Sequence, residues 1–96
     1  MNLSDLYTDR LLDFCKKNYV RSLSVFGSTV RGEAANDSDI DLLVNFSRPT
    51  SLLQMVALER ELSSLLGQRV DLNTEASLSP YLRKQILKER QILYAA

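Results

Sequence analysis

The stretch GSTVRGEAANDSDID, residues 27–41, constrains the fold more than any other part of the chain. An apolar run at residues 20–26 precedes it, and a second apolar run at residues 40–46 begins at its end. In both runs apolar and polar side chains alternate, as is typical of strands. Asp39 and Asp41 are two residues apart at the second strand, so both carboxylates leave the same face of the sheet. The stretch therefore predicts two strands joined by a polar connection, with an acidic pair beside it.

The acidic pair predicts a metal site. Two carboxylates held this close repel each other, and a cation between them removes the repulsion. A third carboxylate, Asp71, lies in a short strand predicted over residues 68–73. Asp39 and Asp41 would bind Mg²⁺, while Asp71 would complete the metal shell and accept a proton from a hydroxyl group. A solvated strand face is the alternative for Asp39 and Asp41, and an ordinary surface residue is the alternative for Asp71.

Gly27 and Ser28 predict a phosphate-binding turn. They lie between a strand and a short helix that begins at Ser28 or the next residue, and a helix start can accept a phosphate oxygen. The spacing from Gly27 to Gly32 resembles a Walker loop, but Glu33 and Ala34 replace its Lys and Ser/Thr. No G-x-G-x-x-G motif of dinucleotide-binding proteins occurs. A simple turn with a helix cap is the alternative.

A calcium loop is excluded. Residues 37–41 imitate its opening, but Leu42 and Arg48 stand where that loop needs Gly and Glu. Asp37 is instead assigned to the turn at residues 35–38, since Asp stabilises turns through its own backbone.

Composition limits the class of protein. The chain has 96 residues, which predicts one domain over residues 1–96, and its 12 basic and 12 acidic residues make no basic field for nucleic acid. There is no His, so catalysis would depend on carboxylates. The single Cys15 predicts a buried small side chain rather than a disulfide. Neither a membrane span nor a signal peptide is recognisable, so we expect a cytoplasmic protein.

The remaining elements predict a small α/β fold. Its short mixed or antiparallel sheet would carry the acidic site on one face and helices on the other. A first helix should begin after Ser4, and a last one, with a basic face, should begin at Ser79-Pro80. The longest helix should run from a cap at Ser51 to Gly67, and residues 92–94 should add an edge strand.

Taken together, Gly27-Ser28, Asp39-x-Asp41 and Asp71 resemble the polymerase-β-type nucleotidyltransferases. The chain is further similar to the minimal nucleotidyltransferase (MNT) antitoxins, which are partners of HEPN-domain ribonuclease toxins. This similarity rests on its short length, on GSxxRGE at residues 27–33 and on SDIDLLV at residues 38–44. This resemblance implies Mg²⁺-dependent transfer of AMP from ATP to a tyrosine of the toxin. It also implies that Arg31 contacts the triphosphate.

Two alternative functions stay open. The chain could be an antitoxin that neutralises its toxin by binding alone, or it could transfer a nucleotide to RNA or to a small molecule such as an aminoglycoside. The neutral charge makes RNA the weaker prediction, although Arg83, Lys84, Lys88 and Arg90 form a basic face. No membrane partner is expected.

Overall fold

The structure, a computed structural model, describes residues 3–32 and 39–96. The predicted turn at residues 35–38, with Asp37, lies outside the described residues. The described chain contains four strands and four α-helices, with a 3₁₀ turn at Leu3–Leu6 and another at Glu75–Ser77. The order is α1 (Asp9–Lys17), β1 (Val20–Phe26), α2 (Ser28–Arg31), β2 (Ile40–Phe46), α3 (Leu52–Leu66), β3 (Val70–Asn73), α4 (Pro80–Glu89) and β4 (Gln91–Ala95).

The four strands form one mixed sheet in the order β3-β2-β1-β4. Strand β1 is antiparallel to both β2 and β4, whereas β3 is parallel to β2. This confirms the predicted fold class and the final edge strand. The register places Asp41 between Asp71 on β3 and Phe26 on β1.

The predicted start of the first helix is wrong. Residues 3–6 form a 3₁₀ turn, and α1 begins only at Asp9, after Thr8 rather than Ser4. The Thr8 backbone is extended, and its hydroxyl accepts a hydrogen bond from the Leu11 N–H at 3.2 Å. Thr8 therefore satisfies an otherwise free helix donor, and Asp9 in the first turn suits the positive end of the helix.

Caps predicted from sequence define α3 and α4. The Ser51 hydroxyl accepts from the Gln54 N–H at 3.1 Å, and Gly67 ends α3 with a φ of 69°. Ser79 caps α4, whose first residue is Pro80. These ends are local in sequence, which explains why they could be predicted.

The main core lies between the sheet and the pair α1 and α3. It contains Cys15, which is fully buried as predicted, and burial raises the pKa of its thiol to about 12. Leu11, Phe14, Leu23, Val25, Ile40, Leu42, Val44, Leu58, Leu62 and Leu66 are among the other buried members.

Helix α4 covers part of the opposite face, which the sequence had assigned to the acidic site without a helix. Its Ile86 packs against Phe26 and Leu43. Strand β1 is consequently not half-buried, since Ser24 and Phe26 are buried as well as its core-facing residues. Helix α4 therefore forms one wall of the acidic site. No helix of the described residues is long and apolar enough to cross a membrane.

Candidate active site

Asp41 and Asp71 face each other across the β2–β3 pair. They are direct partners in the parallel register, where neighbouring strands lie about 4.8 Å apart. Asp41 is half-buried and Asp71 is exposed. The sheet thus brings together two carboxylates that are separated by a whole helix in sequence.

The surroundings of the Asp41 carboxyl disfavour its ionised form. Burial raises its pKa above the ordinary value, and the negative charges of Asp71 and Asp39 raise it further, while Arg31 lowers it. All three predicted acidic residues are therefore close enough to interact. A cation here would favour the ionised form of Asp41.

Gly27 lies directly against Asp41. A Cβ atom built on Gly27 would be 2.6 Å from Asp41 Oδ2, and the Gly27 φ is +75°. Both the backbone conformation and the space require glycine. The sequence had explained this residue by the approach of a phosphate; the structure adds the Asp41 carboxylate as a second reason.

Arg31 and Gly27 both donate to one carboxylate from α4. The Glu89 Oε1 atom accepts from Arg31 Nη1 at 3.1 Å and from the Gly27 N–H at 3.3 Å. Glu89 is not predicted from the sequence, from which both donors were expected to contact a triphosphate. The observed contact shows that the donors converge on one anionic oxygen, which is the property that a phosphate site needs.

A groove of about 370 Å³ lies along this face of the sheet. Asp41, Asp71 and Gly27 line one side, and α4 lines the other. The groove-lining role of α4 is not among the predictions from the sequence, although its lining residues recur at helical spacing and so form one stripe of the helix. Leu82, Gln85, Ile86 and Glu89 of α4 form that side together with Leu78, which precedes the helix, and Asn73 also lines the groove.

Asp39 opens onto a second cavity. This cavity, of about 460 Å³, lies at the outer edge of β3 and is lined by Asp39, Asp71, Arg60 and Arg69, together with residues of α3. Asp39 Oδ1 is 3.9 Å from Arg69 Nε, a long and exposed ion pair that contributes little stability. Asp71 lines both cavities and so lies between them.

The donor set suits Mg²⁺ held jointly with phosphates. Within residues 3–32 and 39–96, no three potential ligands converge closely enough to hold a metal by themselves. Mg²⁺ usually binds one or two carboxylates and completes its shell with phosphate and water oxygens. Asp41 and Asp71 provide such a pair beside the Gly27 turn, so the residues fit this ion better than they fit a closed protein site.

Ser28 is the first residue of α2 and is half-buried; it follows Gly27, which lines the groove, but is not itself among the lining residues. If its hydroxyl donates to a phosphate, Ser28→Ala should weaken nucleotide binding by about 1 to 2 kcal/mol. Isothermal titration with Mg²⁺ and a non-hydrolysable ATP analogue would measure this. Ser64→Ala, on the exposed side of α3, is the control. Equal affinity of Ser28→Ala and the wild type would remove Ser28 from the nucleotide site.

Residues 8–93 match the model of the nucleotidyltransferase domain family. The chain is also similar to the protein adenylyltransferase MntA of Thermococcus cleftensis, at 51% identity over 70 residues, which span 73% of this chain and 71% of that protein.

Solved structures show the same architecture. A protein assigned as a minimal nucleotidyltransferase is 42% identical, with a TM-score of 0.79 and 95% of each chain covered. A chain in the complex of MNT antitoxin with tri-AMPylated HEPN toxin from Shewanella oneidensis has a TM-score of 0.72 at 21% identity. That match covers 100% of this chain and 74% of the other, and it concerns the fold alone.

Proposed function

Because this chain belongs to the nucleotidyltransferase domain family, we propose that it is an antitoxin that transfers AMP from ATP to a tyrosine of a HEPN ribonuclease toxin. The observation that carries the proposal is the Asp41 and Asp71 pair, in register beside Gly27. The protein adenylyltransferase activity of the Thermococcus relative supports a protein as acceptor, and the Shewanella complex supports a HEPN toxin.

In this proposal the nucleotide occupies the groove. Gly27 and Ser28 receive the triphosphate, and Arg31 exchanges its Glu89 contact for a phosphate oxygen. Asp39, Asp41 and Asp71 would hold Mg²⁺, which when bound neutralises the phosphate charge and stabilises the displaced pyrophosphate. Of these carboxylates, the half-buried Asp41 should contribute most to Mg²⁺ binding, because a carboxylate away from water interacts more strongly with a cation.

The transfer step requires a proton acceptor. The tyrosine oxygen attacks the α-phosphorus, the bond to the leaving pyrophosphate breaks, and the phenolic proton passes to a base. Asp71 lines both cavities, so it can lie between a nucleotide in the groove and a hydroxyl that arrives from the β3 edge. Such a site is open on the acceptor side, which suits a protein acceptor that brings its own surface.

Asp71→Asn separates catalysis from binding. This variant should keep toxin binding and much of its Mg²⁺-ATP affinity, but transfer should fall by about 10²-fold or more, because an amide cannot accept the proton. Incubation with ATP labelled at the α-phosphate, followed by electrophoresis, measures transfer. A double variant that adds Asn73→Asp to Asp71→Asn has a carboxylate again, but two positions away. It should stay as inactive as Asp71→Asn alone.

Three outcomes would contradict the proposal or one of its parts. Label on RNA or on a small molecule would identify a different acceptor. Full transfer by Asp71→Asn would exclude Asp71 as the proton acceptor. Complete toxin neutralisation with no label on the toxin would establish an antitoxin that acts by binding. The use of ATP also keeps the cytoplasm as the proposed location.

A further inference from the structure

Strand β3 lies at the edge of the sheet, and α3 occupies its outer hydrogen-bonding positions. The Leu72 N–H donates to Glu59 Oε2 at 2.8 Å, and the Val70 N–H donates to Ser63 Oγ at 3.0 Å. These two amides flank Asp71 on either side. In a parallel strand they point away from β2, so without α3 they would face solvent.

We propose that Glu59 is a positioning residue that holds Asp71 opposite Asp41 during AMP transfer. This inference rests on the function proposed above. Strand β3 has four residues and, among the residues that the structure describes, pairs with β2 alone, so its own pairing restrains it weakly. The Glu59 carboxylate adds a charge-assisted hydrogen bond within this short strand.

Ser63 makes the second half of the same restraint. Its hydroxyl donates to the Glu59 carbonyl oxygen at 2.8 Å while it accepts from the Val70 N–H. Glu59 and Ser63 are one turn apart on α3, so both attach β3 to the same rigid helix. The position of the exposed Asp71 side chain therefore depends on α3 as well as on the sheet.

This restraint has a catalytic consequence. Asp71 contributes to transfer only when its oxygen reaches the acceptor hydroxyl, and a displacement of about 1 Å can reduce a rate by about 10²-fold. Nucleotide binding at Gly27 and Ser28 depends much less on β3. Loss of the Glu59 contact should thus lower kcat and leave the KM for ATP nearly unchanged.

The test compares three variants with the full toxin as acceptor. Glu59→Ala removes the hydrogen bond but keeps a good helix former, and kcat should fall by about tenfold or more, with the KM for ATP changed by less than about twofold. Glu59→Gln keeps a carbonyl acceptor and should restore most of kcat. Glu61→Ala, an exposed change on the same helix away from both cavities, should behave as the wild type.

Amide hydrogen exchange gives a readout that does not depend on activity. The Leu72 amide should exchange faster in Glu59→Ala than in the wild type, and Glu59→Gln should protect it again. If Glu59→Ala is too unstable to assay, Ser63→Ala provides the same comparison through the Val70 amide. In the Asp71→Asn background, Glu59→Ala should cause no further loss of transfer, since the residue it positions is already inactive.

The outcomes separate this inference from the function on which it rests. An inactive wild type would contradict the proposed function. An active wild type with equal kcat in Glu59→Ala would overturn the positioning role. A Glu59→Gln variant as slow as Glu59→Ala would also overturn it, because the charge rather than the hydrogen bond would then be the property that matters.

Discussion

Asp41→Asn should reduce AMP transfer by about 10³-fold or more, because a metal ligand contributes several kcal/mol to the stabilisation of charge in phosphoryl transfer. The same change should leave stability without Mg²⁺ unaltered or raise it by about 0.5 to 1 kcal/mol. The reason is the position of Asp41, where burial and the Asp71 and Asp39 charges oppose ionisation. A structural aspartate would behave in the opposite way and lose stability when replaced.

The effect of Asp41→Asn on stability should depend on pH. The folded-state pKa of Asp41 is above its ordinary value, so its protonated form favours folding. That contribution is fully present below the ordinary pKa of about 3.9 and is lost as the pH rises through the raised value. The Tm advantage of Asp41→Asn over the wild type should therefore be largest near neutral pH and should shrink in acid.

Thermal melts in EDTA at several pH values, together with a transfer assay, measure both effects. Asp13→Asn, an exposed aspartate on α1, controls for the loss of one negative charge. A variant that is destabilised and still active would show that Asp41 has a structural role.

Gly27→Ala should lower transfer by about 10²-fold, because the added methyl group would displace the Asp41 carboxylate from its place. The new Cβ would lie 2.6 Å from Asp41 Oδ2, closer than carbon and oxygen atoms pack. The Gly27 backbone, with φ 75° and ψ −147°, lies near a region that is essentially limited to glycine, which adds a cost of about 1 to 3 kcal/mol. Stability and transfer should both fall.

Gly67→Ala is the control for a methyl group added at a positive φ. Gly67 has a φ of +69°, and nothing lies within 4 Å of its added Cβ, so this variant bears the conformational cost alone. Its ψ of 22° is that of the left-handed helical region, so it should be destabilised by about 1 kcal/mol, less than Gly27→Ala, and should keep normal transfer once folded. If Gly27→Ala is as active as Gly67→Ala, the close approach of Gly27 to Asp41 has no catalytic importance.

Local patterns account for what the sequence could predict. The strands at residues 20–26 and 40–46, the cap at Ser51 and the end of α3 at Gly67 all depend on neighbours in the chain. The same is true of the short helix that begins at Ser28. Propensity, capping and alternation act over these short distances.

Contacts between distant segments explain what the sequence missed. Glu89 reaches Gly27 across 62 positions, and Glu59 reaches Leu72 through the packing of α3 on β3. Helix α4 could be predicted, but which of its sides forms the groove wall depends on how the helix packs on the sheet. The start of α1 was misplaced because Ser4 and Thr8 are both acceptable caps, and sequence alone did not decide between them.

The proposed activity joins AMP covalently to a HEPN toxin. The most direct measurement is the intact mass of a cognate HEPN toxin after co-expression with the wild type or with Asp41→Asn. We expect the toxin to gain the mass of one or more adenylate units with the wild type and none with Asp41→Asn, and to lose its ribonuclease activity only in the first case. An unmodified toxin that is nevertheless fully neutralised by both proteins would contradict the proposed activity.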